Sequence, residues 1–331
     1  MPEGLELALS NEIGLDLQTI ARVGRLWRLR LVSVHPELSP AGSPDRSLAR
    51  VVAGTEEGLL YLVERLSPAT APRKMAIAAL LQALQDTGMH GINPYLATGD
   101  GHHVVPLGAD YWQISPYLEG APLPRPGWVW HAWRGAALAR FLCDLRDASR
   151  QVRLPAEAPY SPHAFCQDLL ARLETHRPSL AQCLSPTVNA LVTDWLPPEG
   201  TLVSTFCHGD PHPLNVIWAP EGQGIAAVID WEFCGIKPGA YDAALLIGCV
   251  GIEDPGALIG PFVQALLSGL RRGGHPAGAE PALWALVVAT RFGWLSDWLR
   301  RGDEEMVALE QDYMRVLIEQ RGVLERTWSA A

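Results

Sequence analysis

The strongest constraint on this chain is an ordered run of polar residues that leaves little freedom in how it folds. Phe206-Cys207-His208-Gly209-Asp210-Pro211-His212-Pro213-Leu214-Asn215-Val216-Ile217-Trp218 carries the order His-x-Asp-x-x-x-x-Asn. Val228-Ile229-Asp230-Trp231-Glu232 follows, an apolar run ending in an acid. Between them, Ala219-Pro220-Glu221-Gly222-Gln223-Gly224 is a turn-rich link of the kind that joins two short antiparallel strands. On a tight loop, Asp210 and Asn215 can face one point, and an acid at the end of the second strand can reach it from the other side. Turn capping by Asp and Asn, with Asp230 solvated, is the plainer account of the same residues.

The pattern suits phosphoryl transfer. Such chemistry needs a carboxylate near a hydroxyl nucleophile and oxygen ligands for Mg²⁺, which prefers hard donors in octahedral geometry. Asp210 fits the first role, and Asn215 and Asp230 fit the second. The protein-kinase set of His-Arg-Asp, Asn and Asp-Phe-Gly has the same logic.

His208-Gly209-Asp210-Pro211-His212-Pro213-Leu214-Asn215 followed by Ile229-Asp230-Trp231-Glu232 resembles the aminoglycoside phosphotransferase and choline kinase superfamily, and weaker likeness extends over roughly residues 20–320. The resemblance implies a protein-kinase-like α+β fold of two lobes: a small strand-rich N-lobe, 1–115, that grips nucleotide, and a larger, mostly helical C-lobe, 116–331, with the catalytic and metal loops. It implies an enzyme that moves the γ-phosphate of ATP, with Mg²⁺, to a hydroxyl of a small metabolite, amino sugar or amino alcohol. By the same resemblance Asp242 is a structural brace of the metal loop; a helix N-cap is the simpler role.

The chain departs from the superfamily in three respects. A lysine usually stands on the third strand and a glutamate in the next helix. Here Tyr61-Leu62-Val63-Glu64-Arg65-Leu66 offers Glu64 or Arg65, and Pro72-Arg73-Lys74-Met75-Ala76-Ile77-Ala78-Ala79-Leu80-Leu81 contains no acid. Arg65 acting alone on the phosphates, a reversed pair of Glu64 and Lys74, and a solvated edge are all open. The first hairpin also lacks Gly-x-Gly-x-x-Gly, for which Gly42 is a weak substitute. These gaps motivate a second reading, a catalytically weak pseudokinase that binds nucleotide or metabolite and acts through a partner. A metal-dependent hydrolase built on His208, Asp210 and His212 lacks further ligands.

Along the chain, Leu5, Leu9 and Ile13 recur at helical spacing within 5–21. Strands are predicted at 27–34, 47–53, 59–66, 102–107 and 111–117, and a helix at 72–87 ended by Gly88. Ile114-Ser115-Pro116-Tyr117-Leu118-Glu119-Gly120 reads as a hinge whose backbone, at Ser115 and Tyr117, is free to meet an adenine edge. Helices are expected at 130–149, 161–173, 185–196, 242–250, 257–272, 280–299 and 303–321. His208 reads as a loop brace, and Lys237 as an exposed residue or phosphate contact. Trp294 and Trp298 share a helical face with Arg291, a wall suited to core packing or to a quaternary ammonium, amine or sugar face.

With 331 residues, 48% of them hydrophobic, two cored lobes are affordable. A net charge of −10 disfavours a nucleic-acid partner, since phosphate backbones are held by Lys and Arg. The six cysteines show no Cys-x-x-Cys spacing. The start lacks a basic n-region and a long apolar run, and no apolar stretch reaches membrane-spanning length, so a cytoplasmic protein with reduced thiols is expected.

Overall fold

The computed structural model describes residues 15–40, 46–154 and 158–331. The predicted helical positions Leu5, Leu9 and Ile13, and Gly42 of the first loop, lie outside the described residues. The chain divides into two compact units, Met1–Gly120 and Ala121–Ala331.

The first unit is built on a five-stranded antiparallel sheet in the order β1-β2-β3-β5-β4. Its strands are β1 (Leu31–His35), β2 (Ala49–Thr55), β3 (Leu60–Leu66), β4 (Val105–Leu107) and β5 (Asp110–Pro116). Helix α1 (Leu17–Leu26) precedes them, and α2 (Ala71–Asp86) follows β3. Asp16 starts α1 by accepting a 2.6 Å hydrogen bond from the Thr19 N–H. Alternation sorts the sheet into two faces. Val51, Ala53, Val63, Trp112 and Ile114 form a core with Ile20, Val23 and Trp27 from α1 and its exit. The opposite face carries a transverse row, because Arg50 pairs with Glu64 and Glu64 with Gln113 in register.

The second unit is mostly helical. It contains α3 (Ala132–Ser149), α4 (Pro162–His176), α5 (Pro178–Ala190), α6 (Tyr241–Glu253), α7 (Pro261–Arg272), α8 (Leu283–Arg301), α9 (Glu304–Glu319) and α10 (Arg321–Ala330). Gly135 brings α3 against α7: a Cβ there would stand 2.1 Å from the Phe262 carbonyl oxygen. Two short two-stranded sheets interrupt the helices, the second a hairpin inserted between the strands of the first. One pairs β6 (Ser204–Cys207) with β9 (Gly235–Pro238), and the other pairs β7 (Val216–Trp218) with β8 (Ile225–Val228). Helix α6 is buried without a break from Asp242 to Gly251, and Asp242 in its first turn holds the segment that leaves β6. Across the back of this unit, Arg291 of α8 and Glu310 of α9 form a fully buried ion pair, with Nε donating to Oε2 at 2.9 Å. Among the described residues no helix is long and apolar enough to cross a membrane.

Two helix boundaries differ from the sequence reading. The helix expected from Ser185 begins at Pro178 and runs through Pro186. Pro186 removes one N–H from the ladder, and the Ser185 hydroxyl lies 3.4 Å from the Gln182 carbonyl left behind. Helix α10 lies beyond the last predicted helix.

Candidate active site

The loop from His208 to Asn215 leaves β6 and enters β7, and three side chains fix its course. Asp242, in the first turn of α6, accepts hydrogen bonds from the N–H groups of His208 at 2.7 Å and Gly209 at 2.8 Å. It therefore braces the loop from His208 to Asn215 rather than the segment around Asp230, and it does not cap its own helix. Burial pushes its carboxyl up to about 6, against the pull of those two N–H donors. It is thus ionised at neutral pH.

His208 ties this loop to the next hairpin. Its Nδ1 accepts the Asp210 N–H at 3.2 Å, so its Nε2 carries the proton and donates to the Ile229 carbonyl at 3.0 Å. The ring is fully buried, edge-on to Trp231 at 4.5 Å between centroids, and burial drives its pKa down to about 3. A histidine held neutral and bonded at both nitrogens is a brace, not a proton carrier.

Gly209 occupies a left-handed position, φ +86°. A Cβ there would lie 2.1 Å from the Phe233 carbonyl oxygen. That carbonyl belongs to the segment that follows Asp230, so the two loops touch where only glycine fits.

Asn215 is brought to Asp210 directly. Its Nδ2 donates to the Asp210 carbonyl at 2.9 Å and reaches the Asp210 carboxylate at 3.3 Å. The amide nitrogen is thereby spent on Asp210, and the amide oxygen is the atom left to act as a donor to a cation. Asn215 also accepts the Ile229 N–H at 2.8 Å through its carbonyl, which sets Asp230 next to the same hairpin. Asp230 has φ +65°, a conformation Asp tolerates better than most non-glycine residues. On the other side of Asp210, His212 Nε2 stands 3.7 Å from its carboxylate. His212 meets Trp294 edge-on at 5.6 Å, and Trp294 stacks on Trp298 at 5.8 Å.

In the first unit, Arg65 lies on the sheet face that carries the α1 core, 3.8 Å from Asp110. Glu64, Gln113 and Ser115 lie on the other face, all buried. Glu64 is joined there by Arg50, whose Nε is 2.7 Å from its carboxylate, and by the Gln113 amide. Tyr117 donates its N–H to the Leu60 carbonyl at 2.9 Å, and Pro116 accepts from Asn93 at 2.9 Å. The hinge backbone is therefore partly committed within the sheet.

The sequence profile of the phosphotransferase enzyme family matches residues 43–280. The chain belongs to that family. No curated protein sequence matches this phosphotransferase. Among solved structures it is similar to an amicoumacin kinase in complex with AMP-PNP, Ca²⁺ and Ami, at 16% identity and TM-score 0.67, over 90% of this chain and 93% of that one. It is also similar to a microcompartment-associated aminopropanol kinase, at 13% identity and TM-score 0.62, over 94% and 99%. A third likeness, to a choline/ethanolamine kinase family protein from Mesorhizobium loti, has 16% identity and TM-score 0.59, over 96% and 100%. The fold is kinase-like, a five-stranded antiparallel sheet followed by a larger helical part, and the enzyme is a small-molecule kinase.

Other side chains beside this loop resolve as structure. Cys207 is buried, its thiol 3.7 Å from the Pro238 carbonyl and pushed up by burial, the state of an inert structural thiol. Lys237 places its Nζ 4.7 Å over the Tyr160 ring and 5.0 Å over Tyr241, beside the catalytic loop rather than in open solvent. Arg50 is the residue the sequence reading passed over. Its signal was the hairpin register: a turn at 56–59 sets position 50 opposite position 64.

Proposed function

We propose that this phosphotransferase moves the γ-phosphate of ATP to the hydroxyl of an amino sugar or amino alcohol. Asp210 orients that hydroxyl and accepts its proton. Asn215, through its amide oxygen, and Asp230 hold a divalent ion, Mg²⁺ in the cell. The single observation that carries this reading is the Asn215–Asp210 contact, which commits the amide nitrogen to Asp210 and leaves the amide oxygen for a cation.

The donor set fits Mg²⁺. Among the described residues there is no cluster of three or more His, Cys, Asp or Glu able to hold a metal alone. Mg²⁺ retains waters and phosphate oxygens and takes only one or two protein ligands in such enzymes. When bound, the ion neutralises charge on the phosphates. Asp210 then has mainly a positioning task, which braced loop geometry suits. Ser115, the last residue of the N-terminal part that we assign to nucleotide (1–115), and Tyr117 just beyond it would offer their backbone to the adenine edge. The choice of an amine-bearing acceptor follows from the ring faces of Trp294 and Trp298, reached from Asp210 through His212. The names of two similar structures also denote amino alcohols. The intact Asp210, Asn215 and Asp230 set, held by dedicated braces, speaks against a pseudokinase.

The test is a thermal-shift titration with ATP, ADP and GTP, each with and without Mg²⁺, followed by an acceptor screen. A Mg²⁺-dependent rise in melting temperature that vanishes in Asp230→Ala, with transfer abolished in Asp210→Ala, is the expected result. Full turnover in either variant would overturn the assignment.

A further inference from the structure

The usual strand lysine and helix glutamate of this superfamily are exchanged here for Glu64 on β3 and Lys74 on α2, and both are buried. A buried carboxylate needs a cation and donors around it. Glu64 has them in a row across the sheet, with Arg50 from β2 on one side and Gln113 from β5 on the other. Arg50 brings Nε, the inner nitrogen of the fork, within 2.7 Å of the Glu64 carboxylate, an ion pair without an aligned hydrogen bond. The Arg50 side chain is still 20% exposed, so a second anion can reach the guanidinium. The row lies on the same sheet face as Ser115, whereas Arg65 lies on the other.

We propose that Arg50, held in place by Glu64, which Gln113 anchors in turn, is the residue that binds the phosphates of the nucleotide. The inference rests on the kinase reading above and deepens it. The ion pair has been rebuilt with inverted polarity on the strand: the acid now comes from β3 and the cation from the neighbouring β2. Glu64 contacts no phosphate in this arrangement; it positions the guanidinium. Arginine suits the task, because a planar fork can hold one anion at Nε and another at its outer edge.

The proposal is tested by calorimetric titration of the purified full chain with ATP, ADP and adenosine. Arg50→Gln should weaken ATP and ADP by about tenfold to a hundredfold, the scale of a lost charge-assisted contact. It should leave adenosine unchanged, since adenosine has no phosphate. Arg50→Lys should recover part of the loss. Glu64→Gln should raise the KM for ATP with a smaller effect on kcat. Because Arg50→Gln leaves a buried carboxylate unpaired, Arg50→Gln/Glu64→Gln is measured beside it, with thermal melts to confirm folding. Equal loss for ATP and adenosine, or a phosphate-specific loss in Arg65→Gln with none in Arg50→Gln, would overturn the proposal. No binding of any nucleotide by the unmodified chain would instead overturn the kinase reading on which it stands.

Discussion

Asp242 reaches back 33 residues along the chain to accept the Gly209 N–H at 2.8 Å, and the loop that carries Asp210 hangs from that contact. Because the same carboxylate also takes the His208 N–H, its two oxygens are both in use. Asn in its place can accept only through its one oxygen, and its NH₂ would face a second donor. Asp242→Asn should therefore lower kcat by about tenfold or more, on the scale of hydrogen bonds to charged groups. Activity should also fall in the unmodified enzyme as pH drops through about 6, where Asp242 takes up its proton. A pH–rate profile that stays flat from 7.5 to 5 would break the link between this carboxylate and the loop.

Gly209 should tolerate no side chain. The left-handed conformation alone disfavours a Cβ by about 1–2 kcal/mol, and the Phe233 carbonyl 2.1 Å away cannot be satisfied by a side-chain rotation. In Gly209→Ala, transfer should be lost and melting temperature lowered. Native-like circular dichroism with unchanged turnover would show that the loops do not meet as described.

The pair Arg291–Glu310, which lies against Trp294 and Trp298, gives a stability prediction. Both side chains are buried, and Glu310 also accepts the Trp298 indole N–H at 3.3 Å. Removing one partner strands the other charge in the core. Arg291→Met should destabilise by about 3–5 kcal/mol, read from urea denaturation. Arg291→Met with Glu310→Leu should recover much of that loss, since replacing both charges with apolar groups is often close to neutral.

Two buried histidines set the acid limb of stability. Burial lowers His208 to about 3 and His275 to about 4. For each, the folded protein binds its proton later than the unfolded chain does. The contribution is whole above the ordinary histidine pKa of 6.5 and is lost as pH falls toward the folded value. Each adds a slope of about 1.4 kcal/mol per pH unit. Asp242 acts in the opposite direction. Its raised pKa favours the folded state below about 4, and that gain is lost as pH rises through about 6. In the unmodified chain, stability should thus decline from pH 6.5 to 4. His275→Asn, which retains a side-chain acceptor for the Ala277 N–H, should flatten that decline by about 1.4 kcal/mol per unit. An unaltered slope in denaturant titrations would remove His275 from this role.

Local signals carried much of the architecture into the sequence. The alternation in 47–53 and 59–66 announces the β2–β3 hairpin, and Asn215 and Asp230 flank the short antiparallel pair expected between the two motif segments. Relationships between distant segments were less legible. Asp242 read as a brace of the metal loop because nothing local says which N–H groups it accepts. The helix through Pro186 was missed because proline is a breaker unless a neighbour serves the orphaned carbonyl, as the Ser185 hydroxyl does for Gln182. Arg50 went unweighed because a cross-strand partner emerges only once the register is counted back from the turn.

The Arg50–Glu64 row also constrains how this lineage can change. Restoring lysine at position 64 by a single substitution would place two cations side by side in a buried site, with no carboxylate between them. Removing Arg50 first would leave Glu64 uncompensated. Neither order of mutation passes through a comfortable intermediate, so drift at one position is conditional on the other. Descendants of this chain should carry the two residues as a unit, and an ancestor that bore the more familiar lysine must have crossed a fitness valley, or exchanged both at nearly the same time.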